Sequence, residues 1–213
     1  MNGLLRFIFY RVFIRLIVMI VLGLNIRHKE KLPQKGPAII VANHNSHLDT
    51  MVLMTLLPAH LLSITKPVAA ADYFLRNPLL AWFALKIVGI LPIKRKRENR
   101  KDDLLAPIHE SLNNGNVLIF FPEGSRGEPE HLTNFKGGVA KLAQEHPEIP
   151  VVPILLHGLG KALPKGEALL VPFFCDVFVG DALYWTGDKK DFMQHLEHSM
   201  ELLSNEGQFS VWE

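Results

Sequence analysis

The chain has 213 residues, 48% of them hydrophobic, a formal net charge of +2 and a single cysteine. That length and apolar content suffice for one sizeable core but leave no room for a second domain of ordinary size. The nearly balanced charge argues against nucleic acid as a partner, and the lone Cys175 excludes an intramolecular disulfide framework and is compatible with a reducing compartment.

Leu4 to Leu24 is strongly apolar yet carries Arg6, Arg11 and Arg15, so only Leu16 to Leu24 is free of charged and polar side chains. That run is too short to span a bilayer unaided. Basic residues ahead of an apolar stretch resemble a signal peptide, but Asn25 to Lys29 offers no small-residue cleavage site, and the segment is expected to remain attached. Arginines set among Phe7, Phe9, Tyr10 and Phe13 suit a helix lying in the interface of an anionic leaflet with its charges snorkelling outward. A buried packing helix is the competing reading, against which stands the expense of three arginines in a core. Residues 1–28 are therefore expected to form a membrane-associated helical segment and residues 29–213 the globular domain.

Ala38 to Val41 is a short β-favouring run that follows Pro37 and ends in Asn43-His44-Asn45-Ser46-His47-Leu48-Asp49. Ser46-x-x-Asp49 has the form of a capping box and Met51 to Met54 is apolar, so a helix is expected to start near Ser46. His44 then sits on the turn between strand and helix, where the Asp49 carboxylate can fix its tautomer and stabilise its protonated form. Two plainer readings compete: Asp49 only completes the cap, or His44, His47 and Asp49 hold a metal. The spacing matches no recognisable zinc pattern, and no metal is expected.

Leu56 to Ala71 and Leu79 to Ile90 are rich in large apolar residues that either fill the core or meet an acyl chain or lipid. Gly89 to Ile93 leads into Lys94 to Lys101, which concentrates six of the 23 Lys and Arg residues and reads as a solvated loop or as a site for phosphate, anionic lipid or an acidic carrier protein. Asp102 to Leu112 is expected to be helical, with Asn113-Asn114-Gly115 as its stop. Val117 to Phe121 is a continuous apolar run suited to a parallel strand covered on both faces, and Pro122-Glu123-Gly124-Ser125-Arg126-Gly127 follows it. A helix from Phe135 to Glu145, strands at Val151 to Leu156, Ala168 to Val171 and Phe174 to Val179, and an amphipathic helix from Asp188 to Leu203 complete the chain. This alternation predicts an α/β fold with a largely parallel sheet flanked by helices, and ligands beyond the carboxyl ends of the strands.

Taken together, these motifs resemble the PlsC family of lysophospholipid acyltransferases. The family's N-H-x-x-x-x-D matches Asn43, His44 and Asp49, and Gly89 to Arg95 resembles its second motif. Phe121-Pro122-Glu123-Gly124-Ser125-Arg126 matches the third with serine for the usual threonine, and Val152-Pro153-Ile154 resembles the fourth. Pro92 and Gly127 depart from the common pattern. The resemblance implies acyl transfer from acyl-CoA or acyl-carrier protein, as co-substrate and with no further cofactor, to the free hydroxyl of a lysophospholipid such as lysophosphatidate, and the apolar, arginine-bearing N-terminal segment is expected to hold the enzyme on the cytoplasmic face of a membrane. The resemblance also implies His44 as general base oriented by Asp49, with Arg95, Glu123, Gly124, Ser125, Arg126 and Lys136 binding substrate. Arg95 and Arg126 are expected to receive the acceptor phosphate, and Glu123 to position Arg126 or an acceptor hydroxyl. A serine esterase built on Ser125 is a competing reading, but the nucleophile elbow needs G-x-S-x-G and position 123 is glutamate. A non-catalytic membrane-binding module is another, and it leaves both polar motifs unexplained.

Overall fold

The structure, a computed structural model, describes residues 2–95, 103–125, 127, 135–163 and 169–209. The chain opens as helix α1 (Asn2–Ile8), a π-helical stretch (Phe9–Ile14) and helix α2 (Arg15–Val21), and passes directly into strand β1 (Leu22–Arg27). Strand β2 (Ala38–Ala42), helix α3 (Leu48–Leu56) and strand β3 (Thr65–Ala70) follow. Helices α4 (Ala71–Phe74) and α5 (Pro78–Trp82), the latter continued by a π-helical stretch (Phe83–Val88), lead to strand β4 (Leu91–Ile93). The second half comprises helix α6 (Ala106–Asn113), strand β5 (Val117–Phe120), helix α7 (Gly138–Glu145), strand β6 (Val151–His157), helix α8 (Leu159–Ala162), strand β7 (Phe173–Val179) and helix α9 (Lys189–Gly207).

The strands form one seven-stranded sheet in the order β1-β7-β6-β2-β5-β3-β4. Neighbours are parallel throughout except β6 and β7, which run antiparallel. β2 is buried along its whole length because helices cover both sheet faces, and its side chains alternate between two cores. Ala38, Ile40 and Ala42 pack with Val52, Leu53 and Met54 of α3, whereas Ile39 and Val41 meet Ile108 of α6, Val139 of α7 and Phe192 of α9.

From β2 the chain crosses β5 to reach β3, while from β5 it crosses β2 to reach β6. The chain therefore leaves these two adjacent parallel strands in opposite directions, which opens a crevice at their carboxyl ends. The two polar motifs begin there, at Asn43 after β2 and at Phe121 after β5.

Sequence patterning missed three strands. β3 contains Lys66, Pro67 and the weak strand formers Ala69 and Ala70, β4 is only three residues long, and β1 is the tail of the N-terminal apolar run. Pro92 is tolerated in β4 because that strand lies at the sheet edge. The strand expected at Ala168 to Val171 is corrected: residues 169–172 have no regular structure, Leu169 and Val171 are exposed, and Ala168 lies outside the described residues. β1 is hydrogen-bonded into the sheet although it precedes the boundary expected at residue 28.

The N-terminal helical run docks through Tyr10, Ile14 and Val18, spaced four apart so that they share one helix face, into the same core as α3, and Leu22 at the start of β1 joins them. Its arginines do not all point outward as expected. Arg6 donates from Nη2 to the carbonyl of Thr65, and Arg11 Nη2 donates to the carbonyl of Leu57 at 2.6 Å. Leu57 is the residue at which α3 ends, so Arg11 supplies a charged donor to a helix terminus with unsatisfied carbonyls and a partial negative charge. Those bonds offset the burial that pushes both guanidinium pKa values down. Arg15 stays exposed. The opposite face leaves Leu4, Phe7, Phe13, Leu16, Met19 and Ile20 in solvent. No helix among the described residues is long and apolar enough to cross a membrane.

Candidate active site

The turn after β2 is held by hydrogen bonds that the sequence order itself supplies. Asn43 extends the strand pairing with its side chain: Nδ2 donates to the Leu156 carbonyl at 2.8 Å and Oδ1 accepts from the Leu156 N–H at 2.7 Å. Both backbone groups of a β6 residue are thereby satisfied at the place where β2 stops. Ser46 Oγ donates to the carbonyl of Leu163 and accepts from the Leu48 N–H, which ties the start of α3 to the segment after α8.

Asp49 has no exposed surface, and its Oδ2 gathers three donors. The N–H groups of Asn45 and Ser46 reach it at 2.7 and 2.8 Å, and His44 Nδ1 lies 2.9 Å away. The Ser46 bond is one half of the capping box expected from the sequence, so the cap and the His44 contact are made by the same oxygen. Burial pushes the Asp49 carboxyl up, while the His44 ring and the Ser46 and Asn45 N–H groups pull it back. An oxygen that already accepts from two backbone N–H groups has no place for its own proton. The His44–Asp49 bond is therefore an Nδ1–H donating to Oδ2, and it leaves Nε2 with its lone pair.

The imidazole is fixed from its other sides by the turn after β5. Its ring stacks on Phe121, with centroids 4.1 Å apart and planes inclined by 22°. The His44 N–H donates to Glu123 Oε1 at 3.1 Å, and the His44 carbonyl accepts from the Gly127 N–H at 3.0 Å. Glu123 thus grips the backbone of His44, a contact additional to its expected role of positioning Arg126 or an acceptor hydroxyl. Gly127, flagged only as a departure from the family pattern, completes the clamp.

Gly124 has φ +75°, and a Cβ there would meet Lys136 Nζ at 2.5 Å. Glycine is favoured by that left-handed backbone, and it lets the Lys136 ammonium lie over the turn. The structure therefore gathers His44, Asp49, Glu123, Gly124 and Lys136 around one crevice. Ser125 is exposed on the same turn, and among the described residues it makes no hydrogen bond to His44, as an esterase dyad would need. Arg95 stands at the same sheet edge but beyond β4, three strands from β2 or about 14 Å by strand spacing, and it lies 3.8 Å from Asp72 with 55% of its side chain exposed. Arg126 and residues 96–101 of the basic cluster lie outside the described residues. Among the described residues no group of three His, Cys, Asp or Glu side chains is arranged to hold a metal ion.

The clamp of Asn43 on Leu156 and the stack of Phe121 on His44 escaped the sequence reading. Their only signal was position, each being the first residue past a buried strand.

Residues 23–157 match the model of the family described as Acyltransferase, which covers most of the chain and contains every site residue just described. The chain belongs to this family. Among its acyltransferase relatives, it is 35% identical to the chloroplastic 1-acyl-sn-glycerol-3-phosphate acyltransferase of Arabidopsis thaliana, over 68% of this chain and 38% of that protein. It is 32% identical to the chloroplastic 1-acyl-sn-glycerol-3-phosphate acyltransferase of Brassica napus, over 84% of this chain and 52% of the other. The chain spans about half the length of the curated relatives it matches. A solved acyltransferase, the 1-acyl-sn-glycerophosphate (LPA) acyltransferase PlsC of Thermotoga maritima, superposes with a TM-score of 0.70 at 20% identity, over 90% of this chain and 75% of that one. That likeness extends the shared fold beyond the family match.

Proposed function

We propose that this protein transfers a fatty acyl group from acyl-CoA or acyl-carrier protein to the free hydroxyl of lysophosphatidate, giving phosphatidate. The observation that carries the reading is the 2.9 Å contact between His44 Nδ1 and the buried Asp49 carboxylate, which leaves Nε2 able to accept a proton. The named activities of the relatives support the choice of acceptor.

His44 Nε2 takes the proton of the acceptor hydroxyl as its oxygen forms a bond to the thioester carbonyl carbon. Asp49 stabilises the imidazolium. The tetrahedral intermediate then expels the thiolate, the carbon–sulfur bond breaks, and the imidazolium proton passes to sulfur. A thioester is already activated and a thiolate leaves readily, so no covalent acyl-enzyme is required; Cys175 is buried in β7, and Ser125 lacks a base. Lys136 beside Gly124 supplies positive charge for the acceptor phosphate, with Arg126 and Arg95 completing its recognition.

The enzyme works on the cytoplasmic face of a membrane, where a one-chain lipid enters from the bilayer and the soluble donor from the opposite side. The exposed apolar face of the N-terminal helix and the exposed Leu79 and Trp82 of α5 support this reading. His44→Ala is expected to lower kcat by about 10² to 10⁴-fold in thiol-release assays with lysophosphatidate while the protein stays folded. Near-normal turnover by the folded variant, or an acyl-enzyme ester that persists without acceptor, would refute the mechanism.

A further inference from the structure

A groove of about 630 Å³ runs between β1 and the C-terminal end of α3, and it is separate from the His44 crevice. His44 precedes the first turn of α3, whereas the groove is walled by Thr55, Leu56 and Leu57 at the other end of that helix. Leu22, Leu24 and Ile26 contribute to the apolar lining along β1. Four residue steps of strand give a lining about 13 Å long. One leaflet's share of the hydrocarbon core is about 15 Å, so the groove has the length of one acyl chain's buried part.

Its charged lining has one sign. Arg11, Arg15 and Lys29 border the groove, and no Asp or Glu does. Among the described residues none of the three forms an ion pair with a carboxylate, and Arg11 Nε is buried without an acceptor. After burial, the Arg15 charge is what most depresses the Arg11 pKa, so an anion between the two guanidiniums relieves a like-charge contact. Met19 also borders the groove and is largely exposed, next to exposed Ile20, so the mouth is continuous with the apolar face of the N-terminal helix. Apolar lining, cationic border and an opening onto a lipid-facing surface together select an amphiphile with a negative head.

We propose that this groove seats one anionic phospholipid of the bilayer, its phosphate on Arg11, Arg15 and Lys29 and one acyl chain along Leu24 and Ile26. The lipid is bound as a fixed ligand, distinct from the acceptor that reaches His44. The proposal takes its source of lipid from the membrane-surface reading, yet it is tested in detergent solution, where loss of liposome binding leaves the result untouched.

Full-length protein in non-ionic detergent is mixed with equimolar phosphatidylglycerol and phosphatidylcholine, and retained lipid is counted by native mass spectrometry. One phosphatidylglycerol per chain is expected, in preference to phosphatidylcholine. The double variant Arg15→Glu, Lys29→Glu should lower that retention by at least about tenfold, since each cation contributes to anionic-lipid attraction. Ala59→Trp, an exposed position on the groove wall, should lower retention by filling the space, with melting temperature and thiol release on a soluble short-chain lysolipid unchanged. Equal retention of the two lipids, or wild-type retention by the folded Ala59→Trp or Arg15→Glu, Lys29→Glu variant, would each overturn the proposal.

Discussion

Asp49 gives up stability for its role. Its carboxyl pKa is raised by burial, so folding disfavours the ionised form, and the cost is fully present above the folded pKa. It fades as pH falls through that value towards the ordinary carboxylate range near about 4, where the unfolded chain is protonated as well. Asp49→Asn removes the charge and keeps one accepting oxygen for the Asn45 and Ser46 N–H groups. The variant is expected to unfold at the same or a higher urea concentration than wild type at pH 7, with any advantage shrinking as pH falls to about 4. Its kcat should drop by about 10²-fold, because the amide neither fixes the Nδ1–H tautomer reliably nor stabilises the imidazolium. A variant much less stable than wild type at pH 7 would show that the carboxylate contributes more to the fold than to the chemistry.

The strand end is the unit that sets His44 in place. β2 delivers His44 only because Asn43 continues its pairing with β6 after the backbone has turned away. Asn43→Ala leaves the N–H and the carbonyl of Leu156 buried without those partners, at a cost of about 2 to 3 kcal/mol. Urea denaturation should show that loss, and kcat measured at a temperature where the variant is folded should fall with little change in the lysophosphatidate KM, since the acceptor contacts lie on the β5 turn. An unchanged kcat would mean that the β5 clamp through Glu123 and Gly127 is sufficient alone. The two clamps come from the strands on either side of β2, and that is why a short turn can hold a base without its own regular structure.

For the whole molecule, the N-terminal run is both a core element and an exposed apolar surface. Tyr10, Ile14 and Val18 are buried, whereas Leu4, Met19 and Ile20 on the same run are each about two-thirds or more exposed. Replacing Leu4, Met19 and Ile20 by serine removes large apolar groups from solvent and not from the core. The melting temperature should therefore stay within a few degrees of wild type while partition onto anionic liposomes falls by at least roughly 10³-fold, as burying three such side chains at about 1.5–3 kcal/mol each is worth at least about 4.5 kcal/mol in all. Unchanged partition would place the membrane contact elsewhere. Deleting the entire run is a poorer test, because it also removes Tyr10, Ile14, Val18 and the Arg11 bond to the end of α3.

The sequence by itself determined the α/β class, the central strands and the pairing of His44 with Asp49. Those depend on local pattern: Ala38–Ala42, Val117–Phe120 and Val151 to Leu156 are unbroken apolar runs, and a histidine five residues before a capping carboxylate is a short-range arrangement. Tertiary structure alone decided what is non-local. β1 and β3 exist as strands because partners 151 and 52 residues away complete their hydrogen bonds, at Asn25 with Asp176 and at Thr65 with Val117, and no local propensity announces that. The same holds for Arg6 and Arg11, whose inward turn needs carbonyls of Thr65 and Leu57 to receive them. Glu123 reads in sequence as a substrate ligand. Only the adjacency of β2 and β5 shows its carboxylate on the backbone of the base, because strand order is set by packing across the sheet and leaves no mark on the residues of either strand.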